Sequence, residues 1–469
     1  MRRLNFFTVV VGFLSILSFS QCSDVNKSKG GLRITDNFKS LARDFKNPPI
    51  EYSTAPFWVW NDVVTKQKID QQLPDFKEKG ISQVFIHPPP GLITEYLSEE
   101  WFELVKYAVE KGKELNMKIW LYDENSFPSG FAGGHVISVM PPSFDPVAGL
   151  KLTKLNVLQA SDTNKYFIVI KKYNNYFANI SGGTKSYINQ PGEYYAFEKW
   201  YYPEKEAWFG GFSYVDLLAY GITERFIKTT MQGYEEYLGE DLGTTVPGIF
   251  TDEPNINTRG DDQNVIRFTP VLFNKFKEKY GYQLQNYLPC LYEEVGDWRN
   301  IRHDYYALLL DMFIDRWAVP WYEYTEEKNI IWTGHYWEHG WPNPKHGGDN
   351  MAMYAWHQYP GIDMLFNNED RRPDQFGNIR AVKELSSVVN QLDKERALSE
   401  TYGGSGWELS FQDMKRLGDW EYALGVNLMN QHLSYMTLKG ARKRDFPQSI
   451  SYHVPWWDNY KPLNTSFER

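Results

Sequence analysis

Eight short apolar runs recur between residues 55 and 431, and most of them end in polar or charged side chains. A run of four to eight apolar residues bounded by turn residues is typical of a buried β-strand. The runs cover residues 55–60, 81–87, 117–124, 246–253, 330–335, 361–366, 396–402 and 425–431. The fourth run ends in Asp252 and Glu253 and is stopped by Pro254, so these two acids should lie at the carboxyl end of a strand.

Helical periodicity separates most of the runs. Ile69, Leu73 and Phe76 share one helical face before Gly80, and Ser98 can cap a second helix with a similar apolar stripe. Strands that alternate with helices indicate the α/β class, and eight of them favour a (β/α)8 TIM barrel whose chemistry lies at the carboxyl ends of the strands. An open doubly wound sheet is the alternative, but no glycine-rich phosphate loop follows the first strand.

Two gaps are too long for one helix. Residues 147–209 alternate in the manner of strands, which predicts a small β-rich insertion after the third barrel strand. Residues 268–328 carry two or three helical patterns and predict an elaborated fourth connection. We therefore predict a catalytic barrel formed by residues 48–146 and 210–469, with the insertion beside its active face.

The amino terminus is typical of an export signal. Positive charge at Arg2 and Arg3 precedes an apolar stretch over residues 4–19 that is too short to span a bilayer comfortably. The placing of Cys22 resembles a bacterial lipoprotein site, which predicts a signal over residues 1–22, a polar linker over 23–47 and a lipid anchor on the outer membrane. The alternative is plain secretion to the periplasm. Only Cys290 then remains, which excludes an internal disulfide framework.

Composition narrows the class of partner. The chain has 469 residues with a formal net charge of -9, so it is not a basic nucleic-acid binder. Aromatic residues make up 17% of the chain, and aromatic rings stack well on sugar faces, although they also fill cores. These properties favour a globular protein that binds an oligo- or polysaccharide, and they predict no oligomeric state.

Acids, amides, imidazoles and indoles gather at the ends of the predicted strands. Paired carboxylates facing one another across a pocket are what glycosidic bond hydrolysis requires, since one carboxyl protonates the leaving oxygen while the other attacks the sugar or activates water. Glu253 and Glu400, after strands four and seven, form the first candidate pair, and Glu338 after strand five is the third candidate. The predicted substrate-contacting residues are Trp58, Trp60, Asn61, His87, Asp123, Glu124, Asp252, His335, Trp337, Asp363, Tyr402, Trp407, Asn427 and His432.

Two metal hypotheses follow from the same segments. His335, Glu338 and His339 match the inverted zinc-protease pattern, but that pattern requires a helix and here it follows a strand-like run and precedes a glycine and a proline. A hard cation suits the acids better, and calcium is predicted as a cofactor near Asp123, Glu124, Asp252 or Asp349 without a fixed ligand set.

Several long blocks in a fixed order resemble glycoside hydrolase family 106, the α-L-rhamnosidase-related barrels of Bacteroidota. The blocks are PFWVWND (56–62), QVFIHPPPGL (83–92), WLYDENSFPSGFAGG (120–134), PGIFTDEP (247–254), TGHYWEHGWPNPKHGGDN (333–350) and LSETYGGSGW (398–407). The resemblance implies an exported barrel enzyme that cleaves plant or microbial polysaccharides, commonly with calcium and with inversion at the anomeric carbon. Glu253, Glu338 and Glu400 match acidic positions of the family's motifs.

Placement of the acids after strands four and seven also resembles the clan of retaining barrel glycosidases, although Asp252 stands where that clan usually has asparagine. Retention and inversion are both left open, as is the sugar, because Pro89 stands where relatives of family 106 often show arginine.

The segment before Arg469 predicts the opening of the eighth barrel helix. If that helix is cut short, the competing hypothesis is a non-catalytic glycan-binding remnant whose affinity depends on the aromatic rim.

Overall fold

The structure is a computed structural model that describes residues 37–141, 143–174, 176–258, 262–338, 343–365, 376–444 and 448–469. The predicted export signal and Cys22 lie outside the described residues. Of the predicted linker, the described part contains the helix α1 (Phe38–Lys46), which Asn37 caps by accepting a hydrogen bond from the Ser40 backbone N–H. None of the described helices has the length and apolarity needed to cross a membrane.

A parallel sheet forms the centre of the molecule. Its strands are β1 (Phe57–Val59), β2 (Gln83–His87), β3 (Lys118–Tyr122), β8 (Gly248–Thr251), β10 (Ile331–Gly334), β11 (Tyr359–Met364), β12 (Leu398–Thr401), β13 (Leu428–Gln431) and β14 (Ser434–Tyr435). Their spatial order is β13-β12-β11-β10-β8-β3-β2-β1-β14. Because β13 and β14 belong to one short stretch of chain, the two edges of the sheet nearly meet.

This nearly closed parallel sheet confirms the predicted fold class as a mixed α/β barrel, while the regular (β/α)8 repeat stays a prediction. Each of the eight apolar runs overlaps one strand of the sheet. The strand of the sixth run, β11, begins two residues before that run, and β14 follows the eighth run. The helices between and after the strands are α2 (Lys66–Glu78), α3 (Glu99–Glu114), α5 (Ile222–Leu238), α6 (Leu272–Tyr280), α7 (Trp298–Phe313), α8 (Val319–Lys328), α9 (Asn350–Tyr354), α10 (Phe376–Gln391), α11 (Phe411–Leu424) and α12 (Tyr460–Glu468).

Both faces of the parallel strands are apolar, and each face packs in a different core. Phe57 and Val59 point into the barrel interior, where they join Phe85, Trp120 and Phe250. The alternate residues of the first strand point outward and pack on the buried stripes of α2 and α3. Parallel strands covered on both sides are expected to be apolar throughout, as these are.

A second, antiparallel sheet follows β3. Its strands are β4 (Val147–Val157), β5 (Ile168–Tyr173), β6 (Tyr176–Asn179), β7 (Pro191–Tyr201) and β9 (Val265–Arg267), in the order β6-β5-β7-β4-β9. Four of them lie in the predicted insertion, whereas β9 comes from the connection after β8. The boundaries proposed for the domains stay predictions. A short helix, α4 (His135–Ser138), precedes this sheet in the chain.

Candidate active site

A cavity of about 140 Å³ opens at the carboxyl ends of the parallel strands. Its lining residues are Phe57, His87, Phe127, Asp252, Glu253, Trp337, Asp363, Leu365, Glu400 and His432. Four of the ten are carboxylic acids, and seven were predicted from their positions after strand ends. The structure therefore brings together Glu253 and Glu400, the first candidate pair, in one cavity.

Glu253 owes its position to the end of β8. The strand places Thr251 in the barrel wall, and the backbone then turns so that Glu253 adopts a φ of 46°, in the left-handed region that side chains other than glycine rarely enter. The Asn255 amide donates a hydrogen bond to the Glu253 carbonyl over 2.9 Å and holds this turn. Such backbone strain costs on the order of 1–3 kcal/mol and is typical of functional sites.

The Glu253 carboxyl is buried, and no described residue makes a hydrogen bond with it. Burial raises its pKa well above the ordinary value for glutamate, and the nearby charges of Asp252 and Asp363 raise it further. The protonated form is favoured because a second negative charge in this confined space would be both poorly solvated and repelled.

Glu400 lies across the cavity on β12 and has a different environment. Its Oε2 atom is 2.8 Å from Nε2 of His335, and its Oε1 atom is 3.6 Å from Nε2 of His432. Burial and the charge of Asp363 raise the pKa of Glu400 to about 7, and the hydrogen bond with His335 opposes the rise. Glu400 thus ionises near neutral pH, while Glu253 holds its proton.

His335 links the acids on both sides of the cavity. Its Nε2 atom is also 3.6 Å from Oδ1 of Asp252, and its Nδ1 atom is 3.3 Å from the Tyr336 carbonyl oxygen. Burial alone would lower the pKa of His335, but the hydrogen bond with Glu400 and the charges of Asp252 and Glu400 raise it well above its usual value. Since both ring nitrogens face oxygen acceptors, the imidazolium form fits this position.

Asp252, the residue before Glu253, is held by contacts with several neighbouring side chains. The Tyr122 hydroxyl donates a hydrogen bond to its Oδ2 atom over 2.5 Å, and the Ser129 hydroxyl accepts one from its backbone N–H over 2.8 Å. Burial raises the pKa of Asp252, although the charge of His335 and the Tyr122 hydrogen bond oppose this. Asp252 is therefore held in place by neighbours on two barrel strands and on the loop after β3.

One group of side chains has the spacing of a metal site. Ligand atoms of Asp252, Glu253 and His335 all lie within 4.8 Å of one another. His335 is engaged with Glu400 through Nε2, so it is a poor candidate ligand, whereas carboxylate oxygens are what calcium prefers. The carboxylates of Asp252 and Asp363 on the same cavity wall give a hard-oxygen donor set that fits calcium, and Glu253 keeps its proton beside them.

Glu338, the third candidate acid, is not among the described residues that line the cavity. Its carboxylate accepts hydrogen bonds from the Tyr354 hydroxyl and from the Tyr336 backbone N–H, the latter over 3.2 Å. Its carbonyl oxygen accepts a hydrogen bond from Arg380 over 2.9 Å. These contacts place Glu338 in the packing of the loop after β10, so the structure does not support a catalytic position for it.

The same segment decides against the zinc-protease alternative. His335 follows β10 directly, and its ring faces Glu400 and Asp252 rather than Glu338. His339 lies outside the described residues. In the described part of the motif the two ligand types point in different directions, which a shared metal would not allow.

Asp123 and Glu124 were predicted to contact substrate or calcium, but both are fully buried in loop packing. The Ser129 hydroxyl donates a hydrogen bond to Asp123 over 2.7 Å. The Glu124 carboxylate accepts hydrogen bonds from four backbone N–H groups, those of Asn125, Phe131, Ala132 and Gly133. Asp349, the other acid considered for calcium, caps α9 through two backbone N–H groups.

The predicted aromatic platforms of the first strand are also wrong. Trp58 and Trp60 point outward, away from the cavity, and are fully buried between the sheet and the helices. The Trp58 indole N–H donates a hydrogen bond to Gln72 of α2 over 2.7 Å. Asn61 is buried as well, and its amide donates hydrogen bonds to the carbonyl oxygens of Thr437 and Arg442. These residues therefore connect the first strand to α2 and to the segment after β14.

Three more predicted contacts lie elsewhere. The Tyr402 ring is buried in the outer core, where its hydroxyl donates a hydrogen bond to the Met414 carbonyl over 2.8 Å. Trp407 is 47% exposed and is not among the described residues of the cavity wall. Asn427 precedes β13, at the amino end of its strand, and therefore faces the opposite end of the barrel from the acids.

Phe57, Phe127 and Leu365 line the cavity although no prediction included them. Phe57 lies on β1, one residue before the tryptophan that we predicted, so only the choice of strand face was wrong. Phe127 lies in the loop after β3, within the FPSG sequence that follows Ser126. The position of that loop directly after a predicted barrel strand could have indicated that Phe127 lies near the active site. Trp337 forms the opposite wall, and its ring stacks on His346 at a centroid distance of 5.1 Å.

The model of glycoside hydrolase family 106, described as alpha-L-rhamnosidase, matches residues 210–469, which is more than half of the chain. No curated protein matches the chain by sequence. Among solved structures, a rhamnosidase from Novosphingobium sp. PP1Y is similar with a TM-score of 0.64 and 13% identity, over 91% of this chain and 60% of that one. At this identity the likeness shows the fold alone, and the chain spans less than two thirds of that protein.

Two other glycosidases are more distant. A β-galactosidase from Rahnella sp. R3 has a TM-score of 0.48 at 9% identity, covering 89% of this chain and 55% of that one. An endo-β-1,4-mannanase from Thermotoga petrophila has a TM-score of 0.44 at 10% identity, covering 89% of this chain and 77% of that one.

Proposed function

Because the chain belongs to glycoside hydrolase family 106, we propose that it is an exported glycosidase that cleaves α-L-rhamnoside-like bonds in plant or microbial polysaccharides. Membership of the family supports a glycoside hydrolase and a carbohydrate substrate. The rhamnose specificity, the export and the roles of individual residues belong to the proposal.

The observation that carries the proposal is a pair of glutamates in one cavity whose pKa values are raised to different extents. Glu253 has its pKa raised well above the ordinary value, and Glu400 ionises at about 7. A glycosidase needs one carboxyl that still carries a proton and another that has lost it, and environments that push two pKa values apart identify the two roles. Glu253 is therefore the proposed general acid, and Glu400 the proposed base or nucleophile.

In this scheme the glycosidic C–O bond breaks as Glu253 transfers its proton to the leaving oxygen. Glu400 either removes a proton from the water that attacks the anomeric carbon or bonds to that carbon itself before water displaces it. Either route ends with one water consumed and a new hydroxyl on the released sugar. His335 keeps the Glu400 carboxylate ionised and oriented through the hydrogen bond to its Oε2 atom.

The cavity wall fits a sugar ring between aromatic faces. Phe57 and Phe127 contribute apolar surface on one part of the wall and Trp337 on another. Aromatic rings pack against the C–H faces of sugars, while the acids and His87 supply hydrogen bonds to hydroxyl groups. Calcium fits the carboxylates of Asp252 and Asp363, where it would supply positive charge that binds and orients sugar hydroxyl groups while Glu253 keeps its proton.

The test compares two α-L-rhamnosides that differ only in the leaving group, phenyl and dinitrophenyl. Glu253→Gln should lower kcat/KM for phenyl rhamnoside by roughly 10²–10⁴-fold, as expected for loss of a general acid. It should affect the dinitrophenyl substrate far less, because that leaving group departs without a proton. Glu400→Gln should strongly lower kcat/KM for both substrates, because the reaction needs a base or a nucleophile whichever leaving group is present.

Glu408→Gln is the matched control, since Glu408 is an exposed glutamate in the connection that follows β12, and its substitution should leave both rates unchanged. Equal losses on both substrates for Glu253→Gln would contradict its role as the acid. Absence of turnover from a folded chain that still binds L-rhamnose would instead support the binding-remnant hypothesis. If the chain instead hydrolyses another aryl glycoside, and Glu253→Gln and Glu400→Gln have the same effects on it, the proposed mechanism stands and the substrate is a sugar other than rhamnose.

Export is proposed from the amino-terminal sequence alone, which carries arginines, an apolar stretch and Cys22 in the arrangement of a lipoprotein signal. Expression of the full chain in a Gram-negative host with radiolabelled palmitate tests this assignment. Label should appear on the parent and be lost in Cys22→Ser, whereas an unlabelled but processed parent would favour plain secretion.

A further inference from the structure

The helix α1 presents its apolar residues to solvent. Phe38, Leu41 and Phe45 keep 83%, 55% and 54% of their surface exposed, and none of the nine residues of the helix is buried. Their spacing of three and four residues places these side chains on one face, where they form the apolar stripe of α1. An exposed stripe of this kind is typical of a surface that binds a partner.

A polar face of α1 meets the rest of the chain instead. Asp44 keeps only 12% of its side chain exposed and pairs with Arg43 over 2.8 Å. A helix that packs on a protein core normally turns its apolar side inward and its charged side outward. Here an acid faces inward and two phenylalanines face outward, so the packing of the barrel does not account for the apolar stripe.

The position of α1 is at the amino end of the barrel. The segment after the helix is fixed there, because the side-chain amide of Gln83 at the start of β2 donates hydrogen bonds to the carbonyl oxygens of Ile50 and Glu51. The guanidinium of Arg469, which follows α12, lies 5.5 Å from the centre of the Phe45 ring. The catalytic cavity opens at the carboxyl ends of the strands, so a partner bound to the apolar stripe would leave it uncovered.

The charge of α1 indicates the kind of partner. The whole chain has a formal net charge of -9, yet on this helix the cations Lys39, Arg43 and Lys46 face a single acid, Asp44. Lys39 and Lys46 are seven residues apart and therefore share one side of the helix. Both are exposed, and neither makes an ion pair with a described residue. A basic flank beside an apolar stripe fits an anionic lipid surface.

We infer that α1 lies on an anionic lipid surface, with its apolar stripe inserted at the interface and Lys39 and Lys46 among the headgroups. Residues 23–36 alone separate Cys22 from the Asn37 cap, so a lipid on that cysteine would keep α1 near the same surface. In this orientation the catalytic cavity faces away from the membrane, toward a polysaccharide in the medium. The presence of a membrane rests on the proposed export, but the binding does not, and the acids of the cavity take no part in it.

Co-sedimentation of the chain from Ser23 to Arg469 with vesicles tests the inference without a lipid on Cys22. The parent should bind an equal mixture of phosphatidylcholine and phosphatidylglycerol more tightly than phosphatidylcholine alone, and higher ionic strength should reduce the difference. Leu41→Ser should lower the partition coefficient roughly tenfold, because the leucine side chain no longer leaves water for the interface. Lys39→Gln combined with Lys46→Gln should weaken binding to the anionic vesicles alone, also by roughly tenfold.

Ile93→Ser is the matched control, because Ile93 is 50% exposed in the loop after β2, at the opposite end of the barrel. It should bind vesicles as the parent does. Since Leu41 and Ile93 are both exposed, both variants should also keep the parent's unfolding midpoint.

A fluorophore sensitive to its environment gives a second measurement. Attached to Leu41→Cys, it should shift its emission to the blue when anionic vesicles are added, whereas on Ile93→Cys it should not. Cys290 is buried and leaves the introduced cysteine as the reactive thiol.

Absence of binding by the parent, binding that Leu41→Ser leaves unchanged, an equal loss in Ile93→Ser, or a blue shift at both positions would overturn the inference. So would a dimer of the parent that Leu41→Ser converts to a monomer, since a second copy would then cover the apolar stripe. Vesicle binding by a chain that hydrolyses no glycoside would leave the inference in place and refute the glycosidase alone.

Discussion

Glu400 and Glu253 are the same residue type in the same cavity, yet their neighbours give them different proton affinities. Glu400 makes a hydrogen bond with the imidazole of His335, whereas at Glu253 the charges of Asp252 and Asp363 outweigh that of His335. The difference arises from residues on other strands, and it is the property that the proposed reaction uses.

A pH profile follows from these pKa values. Glu400 must be ionised to act, so kcat/KM for an aryl rhamnoside should rise with pH through about 7, the pKa of Glu400. His335→Gln removes the positive charge that stabilises the Glu400 carboxylate. The pKa of Glu400 should then increase, and the acid limb of the profile should move to higher pH.

The comparison requires kcat/KM measured across pH for the parent and for His335→Gln. His303→Gln serves as the control, because His303 is exposed and lies on α7 away from the cavity. An acid limb that stays in place in His335→Gln would show that this imidazole does not set the ionisation of Glu400.

At the scale of elements, the loop between β3 and α4 forms part of the wall of the catalytic cavity. Glu124 lies at its start, and the carboxylate binds the backbone N–H groups of residues 131–133 farther along the loop. Phe127, which lines the cavity, lies in the chain between Glu124 and these three residues. Glu124 is thus an organiser of the loop rather than a substrate ligand.

Glu124→Gln should destabilise the protein. Oε1 accepts hydrogen bonds from Asn125 and Gly133 and Oε2 from Phe131 and Ala132, so the amide NH₂ of glutamine must face one of these pairs of donors. Two buried N–H groups then lose their acceptor, and the free energy of unfolding should fall by roughly 2–4 kcal/mol. Denaturant titration followed by tryptophan fluorescence measures this change.

Glu95→Gln is the corresponding control, since Glu95 is exposed shortly before α3. Its unfolding midpoint should match that of the parent. If Glu124→Gln unfolds at the parent's midpoint too, the carboxylate does not hold the loop together.

For the molecule as a whole, α12 covers the region where the sheet nearly closes. The Thr54 hydroxyl before β1 donates a hydrogen bond to Asn464 over 2.6 Å, and Gln431 at the end of β13 donates one to the Tyr460 hydroxyl over 3.2 Å. Phe467 is buried between this helix and α11, against the surface left open by Gly418. The helix predicted at the carboxyl end of the sequence therefore contacts both β13 and the segment that leads into β1.

Phe467→Ala should accordingly lower the stability of the entire barrel. Removal of a buried phenylalanine side chain costs roughly 3–5 kcal/mol, because both hydrophobic burial and packing are lost. The expected result is a lower unfolding midpoint with an unchanged denaturant slope. Lys461→Ala, on the exposed side of α12, should leave the midpoint unaltered. Equal midpoints for the two variants would mean that α12 contributes little to holding the barrel.

Local sequence patterns were sufficient to predict the strands and many of the polar residues at their carboxyl ends. Each apolar run is short and ends in turn residues, so the positions of Glu253 and Glu400 after β8 and on β12 followed from the sequence alone. The predicted cap at Ser98 likewise marked the start of α3. These features depend on neighbouring residues in the chain, and for that reason they could be predicted without the fold.

The direction of each side chain was decided by the tertiary structure. Phe57 and Trp58 are both apolar, and a parallel strand buried on both faces gives no sign of which residue points inward, so Trp58 was assigned to the wrong face. Glu338 and Glu400 were predicted from the same kind of apolar run. The tertiary structure places Glu400 beside His335 in the cavity and Glu338 beside Tyr354 outside it. The sequence by itself determined which residues end the strands, and the tertiary structure decided which of them share a cavity, because a side chain's partners come from segments far apart in the chain.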